Sequence, residues 1–354
     1  MSQQPTISDV ARKSGFSRST VSLVLQDSPK LPDKTKEAVR KVMRQIGYRG
    51  NRFARSLRTR RSHTVGIVVQ DLLNPFYTEI IQHAEQFLRR HGYDLVVSSS
   101  NTDLDTEAQA IERLFAMQVD GMIVSTMDYT RVESLLSSIQ AQGTHCVVAG
   151  YAHPDISFDA VTINDRDAMR TVMKHLFDLG HRNIGFIRGA PPFQGIGARF
   201  EVFRQEIEAA GLTAHAEWVK HCGFRLQDGY AAARELLQAR SAERVTAIFA
   251  LNDMLALATI RAAIDLGLTV PGDISVVGSD NVQQACAFYP SLTTIARPIE
   301  QYATELARLV IPDTGQRIPS PSRLPPPASR RVELTAGFIV RESTGPVHLR
   351  QTTL

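Results

Sequence analysis

Cysteine is scarce. The chain has only three, Cys146, Cys222 and Cys286, far apart and at no metal or disulfide spacing. They read as buried, reduced thiols, and neither a metal nor a cofactor is expected. Long apolar runs are missing too. No stretch of about 18 apolar residues exists, which speaks against a membrane span. The opening MSQQPTISDVARKS lacks the apolar core of a signal peptide, so a cytoplasmic protein is expected. Enzyme motifs are absent: there is no Walker loop, zinc-protease helix or nucleophile elbow. Gly195-Ile196-Gly197 lacks the third glycine of a dinucleotide fingerprint and its strand–turn–helix context. A non-enzyme is expected, with His181 in LGHRN read as structural. Acids are scarce at one end only. Residues 1–61 hold 15 Lys and Arg against four acids, a charge of +11 that leaves −7 on the rest. A basic head on an acidic body implies a polyanionic partner for the head alone.

What is present begins with TISDVARKSGFSRSTVSLVL, Thr6 to Leu25. Thr6 can cap a helix carrying Ile7, Val10 and Ala11, and Gly15 breaks it. Ser17 can cap a second helix with Val21, Val24 and Leu25 on its apolar side. Arg18, Ser19 and Ser22 then lie on its polar side. The layout suits a helix-turn-helix, whose second helix enters the DNA major groove. Periodicity alone also allows an ordinary amphipathic pair. Pro32, Val39, Val42, Met43, Ile46 and Gly47 mark a third helix, with Leu31 and Tyr48 closing a small core. Residues 49–64, RGNRFARSLRTRRSHT, are too basic to bury. Asn51 could cap a short helix with Phe53, Ala54 and Leu57 on one face, marginal by itself and open to reading as a linker. Leu57 is the residue type used as a minor-groove wedge.

From Val65 strands and helices alternate in two runs, implying α/β lobes of parallel sheets flanked by helices. Ligands of such sheets bind beyond the carboxyl ends of the strands, hence between the lobes.

Taken in order, these motifs resemble the LacI/GalR (lactose-repressor) family of bacterial regulators over nearly the whole chain. The head shows Thr6-Ile7, Asp9-Val10-Ala11, Gly15, Ser17 and Thr20-Val21-Ser22. The hinge shows Asn51, Ala54, Arg55 and Leu57. The body shows Asn74-Pro75-Phe76-Tyr77, Val119-Asp120-Gly121, Leu179-Gly180-His181-Arg182, Leu251-Asn252-Asp253, Asp280-Asn281 and Pro290-Ser291-Leu292-Thr293-Thr294. The resemblance implies a three-helix head (1–48), a hinge (49–63) and a two-lobed, periplasmic-binding-protein-like body (64–344). It places the N-lobe at about 64–162 and 292–324, and the C-lobe at about 163–291 and 325–344. It implies a homodimer on palindromic operator DNA, released or recruited by a small effector such as a sugar or sugar acid.

Arg18, Ser19 and Leu23 are the implied base readers. Thr6, Ser17, Thr20, Ser22, Asn51 and Arg52 are implied phosphate positioners or caps, Arg55 and Leu57 implied minor-groove residues, and Ala54 a further DNA-binding residue of the hinge. In the cleft the resemblance points to Phe76, Tyr77, Arg199, Phe224, Asn252 and Asp280, then to Asp71, Ser125 and Asp165. Phe76 and Phe224 read equally as core, and Arg199 alternatively as a surface helix residue. Four positions depart from the pattern. Leu23 stands where Arg is frequent and can make only apolar contact, for example with a thymine methyl. Gly50 replaces a proline, Asn164-Asp165 reverses the usual order, and Val202 replaces a glycine. A transport-type sugar-binding protein would share the body, but not the +11 head. The tail GPVHLRQTTL has no heptads, so a dimer rather than a tetramer is expected.

Overall fold

Thr6 starts the first helix, Ile7–Ser14, through a capping box: its side chain accepts from Asp9 N–H, and the Asp9 carboxylate accepts from Thr6 N–H. Gly15 ends that helix at φ 74°, a left-handed value that favours glycine and turns the chain. Ser17 Oγ accepts from Thr20 N–H at 3.0 Å and caps Arg18–Leu25. The third helix is Asp33–Ile46, preceded by Pro32. Val10, Val21, Val24, Val39 and Met43 form the buried centre, with Leu31 and Tyr48 packed against it. The computed structural model describes residues 5–25, 27–48, 61–150, 156–189, 197–238, 244–311 and 329–347. The chain divides into two compact units, residues 1–62 and 63–354.

The second unit contains two six-stranded sheets. The first is built from β1 (Thr64–Val69), β2 (Asp94–Ser99), β3 (Gly121–Ser125), β4 (His145–Ala149), β5 (Asp159–Asn164) and β11 (Arg331–Thr335), in the order β11-β5-β4-β3-β1-β2. The second uses β6 (Ile184–Gly189), β7 (Val219–Cys222), β8 (Ala247–Ala250), β9 (Ser275–Asp280), β10 (Thr293–Ala296) and β12 (Gly337–Ile339), in the order β12-β10-β9-β8-β6-β7. All pairings are parallel except β10 with β12. Central strands such as AIFA and SVVGSD are buried along their length, whereas the edge strands β2, β7, β11 and β12 are partly exposed. That is the pattern of parallel sheets covered on both faces.

In each sheet the chain enters in the middle, steps to one side (β1 to β2, β6 to β7) and returns on the other (β3, β8). Such a reversal opens a crevice at the carboxyl ends of the flanking strands. The lobes are joined by three crossovers: Asn164 to Arg166, Ala296 to Ile299, and Thr335 to Gly337. Two expected boundaries therefore move. Thr293–Ala296 lies in the second sheet, so the chain returns to the first lobe at Arg297 rather than at Leu292. Arg331–Thr335 lies in the first sheet rather than in the C-lobe. The cause is register: Thr293 to Ala296 run alongside Val277 to Asp280, and Arg331 to Thr335 alongside Ala160 to Asn164. The thiols also differ from expectation. Cys146 is buried, but Cys222 is half-buried and Cys286 exposed, the last on the short helix Gln283–Ala287.

Candidate functional site: a buried cleft and a polar helix face

One cavity of about 290 Å³ lies at the carboxyl ends of both sheets. Gln70 and Asp71 follow β1, and Ser125 to Met127 end and follow β3. Asn164 and Asp165 leave β5, Leu251 and Asn252 follow β8, Asp280 ends β9, and Arg297 follows β10. Phe76 and Tyr77 come from the first turn of helix Pro75–Arg90, which Asn74 caps by accepting from Phe76 N–H.

The floor is charged and buried. Arg199 is buried; its Nη1 donates to Leu251 O at 2.8 Å and to Ser279 Oγ at 2.9 Å, and its Nε lies 3.5 Å from Asp165. Arg297 lies 3.5 Å from Asp165 and 3.6 Å from Asp280, its guanidinium 4.8 Å from the centre of the Phe76 ring. The Arg297–Asp165 contact is an ion pair but not a hydrogen bond, for Arg297 Nε and Asp165 Oδ1 are both buried without a hydrogen-bond partner. Asp280 is pushed up to about 8, because burial and the charges of Asp253 and Asp165 outweigh Arg297 and Arg199. Burial also raises the Tyr77 and Tyr302 hydroxyls. Tyr77 donates to Gln70 at 2.7 Å. Asn252 caps its helix through Oδ1 and lines the cavity, where its amide NH₂ can donate. The set offers donors, acceptors and two partly exposed aromatic rings, Tyr77 and Phe224, as a site for a small polar molecule would.

In the head, Val21 and Val24 of the second helix face the core. Arg18, Ser19, Ser22 and Leu23, at i, i+1, i+4 and i+5, take another face. Arg18 and Ser19 are exposed; Leu23 is half-buried and outside the apolar cluster. The hydroxyls of Ser17 and Thr20 sit 2.9 Å apart.

Residues 6–51 match the family model described as "Bacterial regulatory proteins, lacI family", and residues 173–344 that of a periplasmic binding protein-like domain. The chain is 33% identical to the HTH-type transcriptional regulator DegA of Bacillus subtilis (strain 168), over 97% of this chain and 99% of that one. The chain belongs to the LacI family. This LacI-family protein is a ligand-responsive, DNA-binding transcriptional repressor and not an enzyme. It is also 32% identical to the repressor PurR of Edwardsiella ictaluri (strain 93-146), over 84% of this chain and 86% of that one. A solved CelR–cellobiose complex matches with a TM-score of 0.68 and 28% identity, over 96% of this chain and 99% of that one. No helix among the described residues is long and apolar enough to cross a membrane.

In this LacI-family chain all nine residues named for the cleft line the one cavity: Asp71, Phe76, Tyr77, Ser125, Asp165, Arg199, Phe224, Asn252 and Asp280. Two of them differ from one of their readings. Arg199 is not a surface residue of its helix. Phe76 is 6% exposed, with Arg297 over its ring and Tyr77 edge-on, so it acts chiefly as core and as support for Arg297. Arg297, Tyr302 and Gln70 were missed. An arginine directly after the apolar strand TTIA and before Pro298 was the available signal. Of the DNA-binding set, Asn51, Arg52, Ala54, Arg55 and Leu57 lie outside the described residues. His181 is structural: it is buried, and its ring meets Thr246 Oγ1, Ser275 Oγ and Gly345 O at 2.9–3.0 Å.

Proposed function

We propose that the protein acts as a cytoplasmic homodimer on a palindromic operator and is switched by a sugar, a sugar acid or a similar small polar effector in the cleft. The operon it controls is then one of carbohydrate or related catabolism. The observation that carries this reading is the meeting of Asp165, Arg199, Asp280 and Arg297 in a cavity bounded by both lobes. Paired carboxylates and guanidiniums match hydroxyl groups, which both donate and accept. The relative solved with cellobiose supports that choice. Arg18, Ser19 and Leu23 read bases, while Thr6, Ser17, Thr20, Ser22, Asn51 and Arg52 position or cap, Arg55 and Leu57 enter the minor groove, and Ala54 is a further DNA-binding residue of the hinge.

A thermal-shift screen of neutral sugars, sugar acids and nucleobases tests the effector. A ligand at about 100 times its Kd adds about 2.7 kcal/mol of stability. Stabilisation by a sugar or sugar acid, together with a shifted band on DNA upstream of its own gene, is the expected result. Stabilisation by nucleobases alone would overturn the effector class.

A further inference from the structure

Asp280 and Asn281 have φ values of 135° and 62°. Two consecutive non-glycine residues with positive φ are strained and persist only where their surroundings fix them. The turn has two products. It points the Asp280 carboxyl into the cavity. It also seats Val282 in a buried cluster otherwise made of first-lobe residues, which include Phe76, Ile80 and Ile299. One residue on, Gln283 N–H donates to Glu79 Oε1 of the first lobe at 3.2 Å. The segment is thus a non-covalent link between the lobes, beginning at a cleft residue.

What fixes it is Asp253, fully buried and outside the cavity lining. Asp253 Oδ2 accepts from Val282 N–H at 2.9 Å. Oδ1 accepts from Thr294 Oγ1 at 2.6 Å, on the strand that leads to Arg297. The approach needs Gly278, where a Cβ would stand 2.4 Å from Asp253 Oδ1. Asp253 is also the first residue of its helix, where the helix dipole favours a carboxylate. From the other side Arg341 donates to Asn281 Oδ1 at 2.6 Å and to Leu292 O at 2.7 Å.

We propose that Asp253 is a positioning residue for effector recognition: by holding the Val282 amide it sets the aim of Asp280 in the cleft and keeps Val282 seated in the first lobe. The part concerning recognition rests on the assignment of the cleft as the effector site.

The experiment compares hydrogen exchange of the full-length protein with Asp253→Asn and with Asp253→Asn/Asn281→Gly. Asparagine keeps the volume but turns an amide toward one of the donors. Exchange over 281–283 should rise about tenfold in Asp253→Asn, with strand Ala247–Ala250 unchanged. Glycine adopts the left-handed turn without strain, so the second substitution should restore most of the protection. A residue that only stabilises the lobe would raise exchange throughout it and would not be rescued by glycine. Either that result or unchanged exchange at 281–283 overturns the proposal. Cellobiose titration of the same proteins separates the two readings. Wild type that binds neither cellobiose nor any other sugar or sugar acid would remove the effector assignment and leave the exchange result standing. Wild-type cellobiose binding retained in full by an Asp253→Asn protein with a loosened turn would refute positioning itself.

Discussion

Asp165 and Arg297 meet at 3.5 Å, one in each of two of the three crossovers that join the lobes. Both side chains are nearly buried, and the same arginine reaches Asp280 at 3.6 Å. A buried carboxylate that loses its cation is costly, whereas removing both partners leaves no orphan charge. Arg297→Met should therefore lower stability by about 3 kcal/mol. Adding Asp165→Asn should recover part of that loss. Urea unfolding of the two single variants and the double variant closes the cycle. Strictly additive losses would show that the pair is not coupled.

Glu107 is another buried carboxylate, outside the cavity lining. It accepts from Thr126 Oγ1 at 2.5 Å and Met127 N–H at 3.3 Å, and so props the segment that lines the cavity. Burial pushes it up to about 7; Asp253 stands at about 6 and Asp280 at about 8, also raised chiefly by burial. Between the ordinary carboxylate range and these values the folded protein holds more protons than the unfolded chain. Stability must then fall as pH rises through that window. Asp159 acts oppositely. Hydrogen bonds from His145 and Arg330 overcome its burial and hold it at about 2, so its contribution is lost only in strong acid. Wild-type stability should drop between about pH 5 and pH 8, with Glu107 responsible for about 2–3 kcal/mol. Glu107→Gln should flatten the slope. An identical slope in wild type and variant would remove Glu107 from the account.

Legibility followed the strength of the local signal. Thr6, Gly15 and Ser17 announced the head because caps and turns are written in single residues, and Val21 and Val24 fixed which side of the second helix is buried. The central strands were legible as short apolar runs. The cleft residues emerged from motif order, because Asp71, Ser125, Asp165 and Asp280 come together only when two sheets present their carboxyl ends to one space. Arg297 was invisible for the opposite reason: its meaning comes from which sheet Thr293–Ala296 joins, and register is not local. The same blindness put the lobe boundary at Leu292. Glu107 looked like any acid in the first turn of Leu104–Ala116, since only tertiary packing buries it.

Arg18 and Leu23 divide the expected work of the recognition face. An exposed guanidinium at the helix start can make a bidentate pair with guanine, and a half-buried leucine can meet only an apolar surface. Operators selected from random DNA should be palindromic, and Arg18→Ala should relax one base in each half-site at a cost of about 1–3 kcal/mol. Leu23→Ala should instead blur a thymine preference. An asymmetric selected site would count against a two-fold pair of heads.

With the cleft as the proposed effector site, Asp280 should link effector binding to acidity, and the sign of that link depends on the effector's chemistry. Burial pushes its carboxyl up to about 8, against the pull of Arg297 and Arg199 close by. A neutral sugar that donates hydroxyls to Asp280 favours the carboxylate, so binding releases a proton and tightens as pH rises from about 6 to 8. A sugar acid that places its own carboxylate on Arg297 favours the protonated Asp280, and its binding weakens only as pH rises above about 8. Cellobiose and D-gluconate represent the two cases in calorimetric titrations, where proton release shows as a heat that depends on the buffer. Asp280→Asn should abolish the pH dependence whichever ligand binds, and a slope that survives it would assign the proton to another group. The variant should bind operator like wild type when no effector is present, because the carboxyl belongs to the cleft. With effector, the factor by which it alters operator affinity must equal the factor by which operator alters effector affinity. Loss of operator binding in the effector-free variant would show that Asp280 supports the fold of the body rather than recognition.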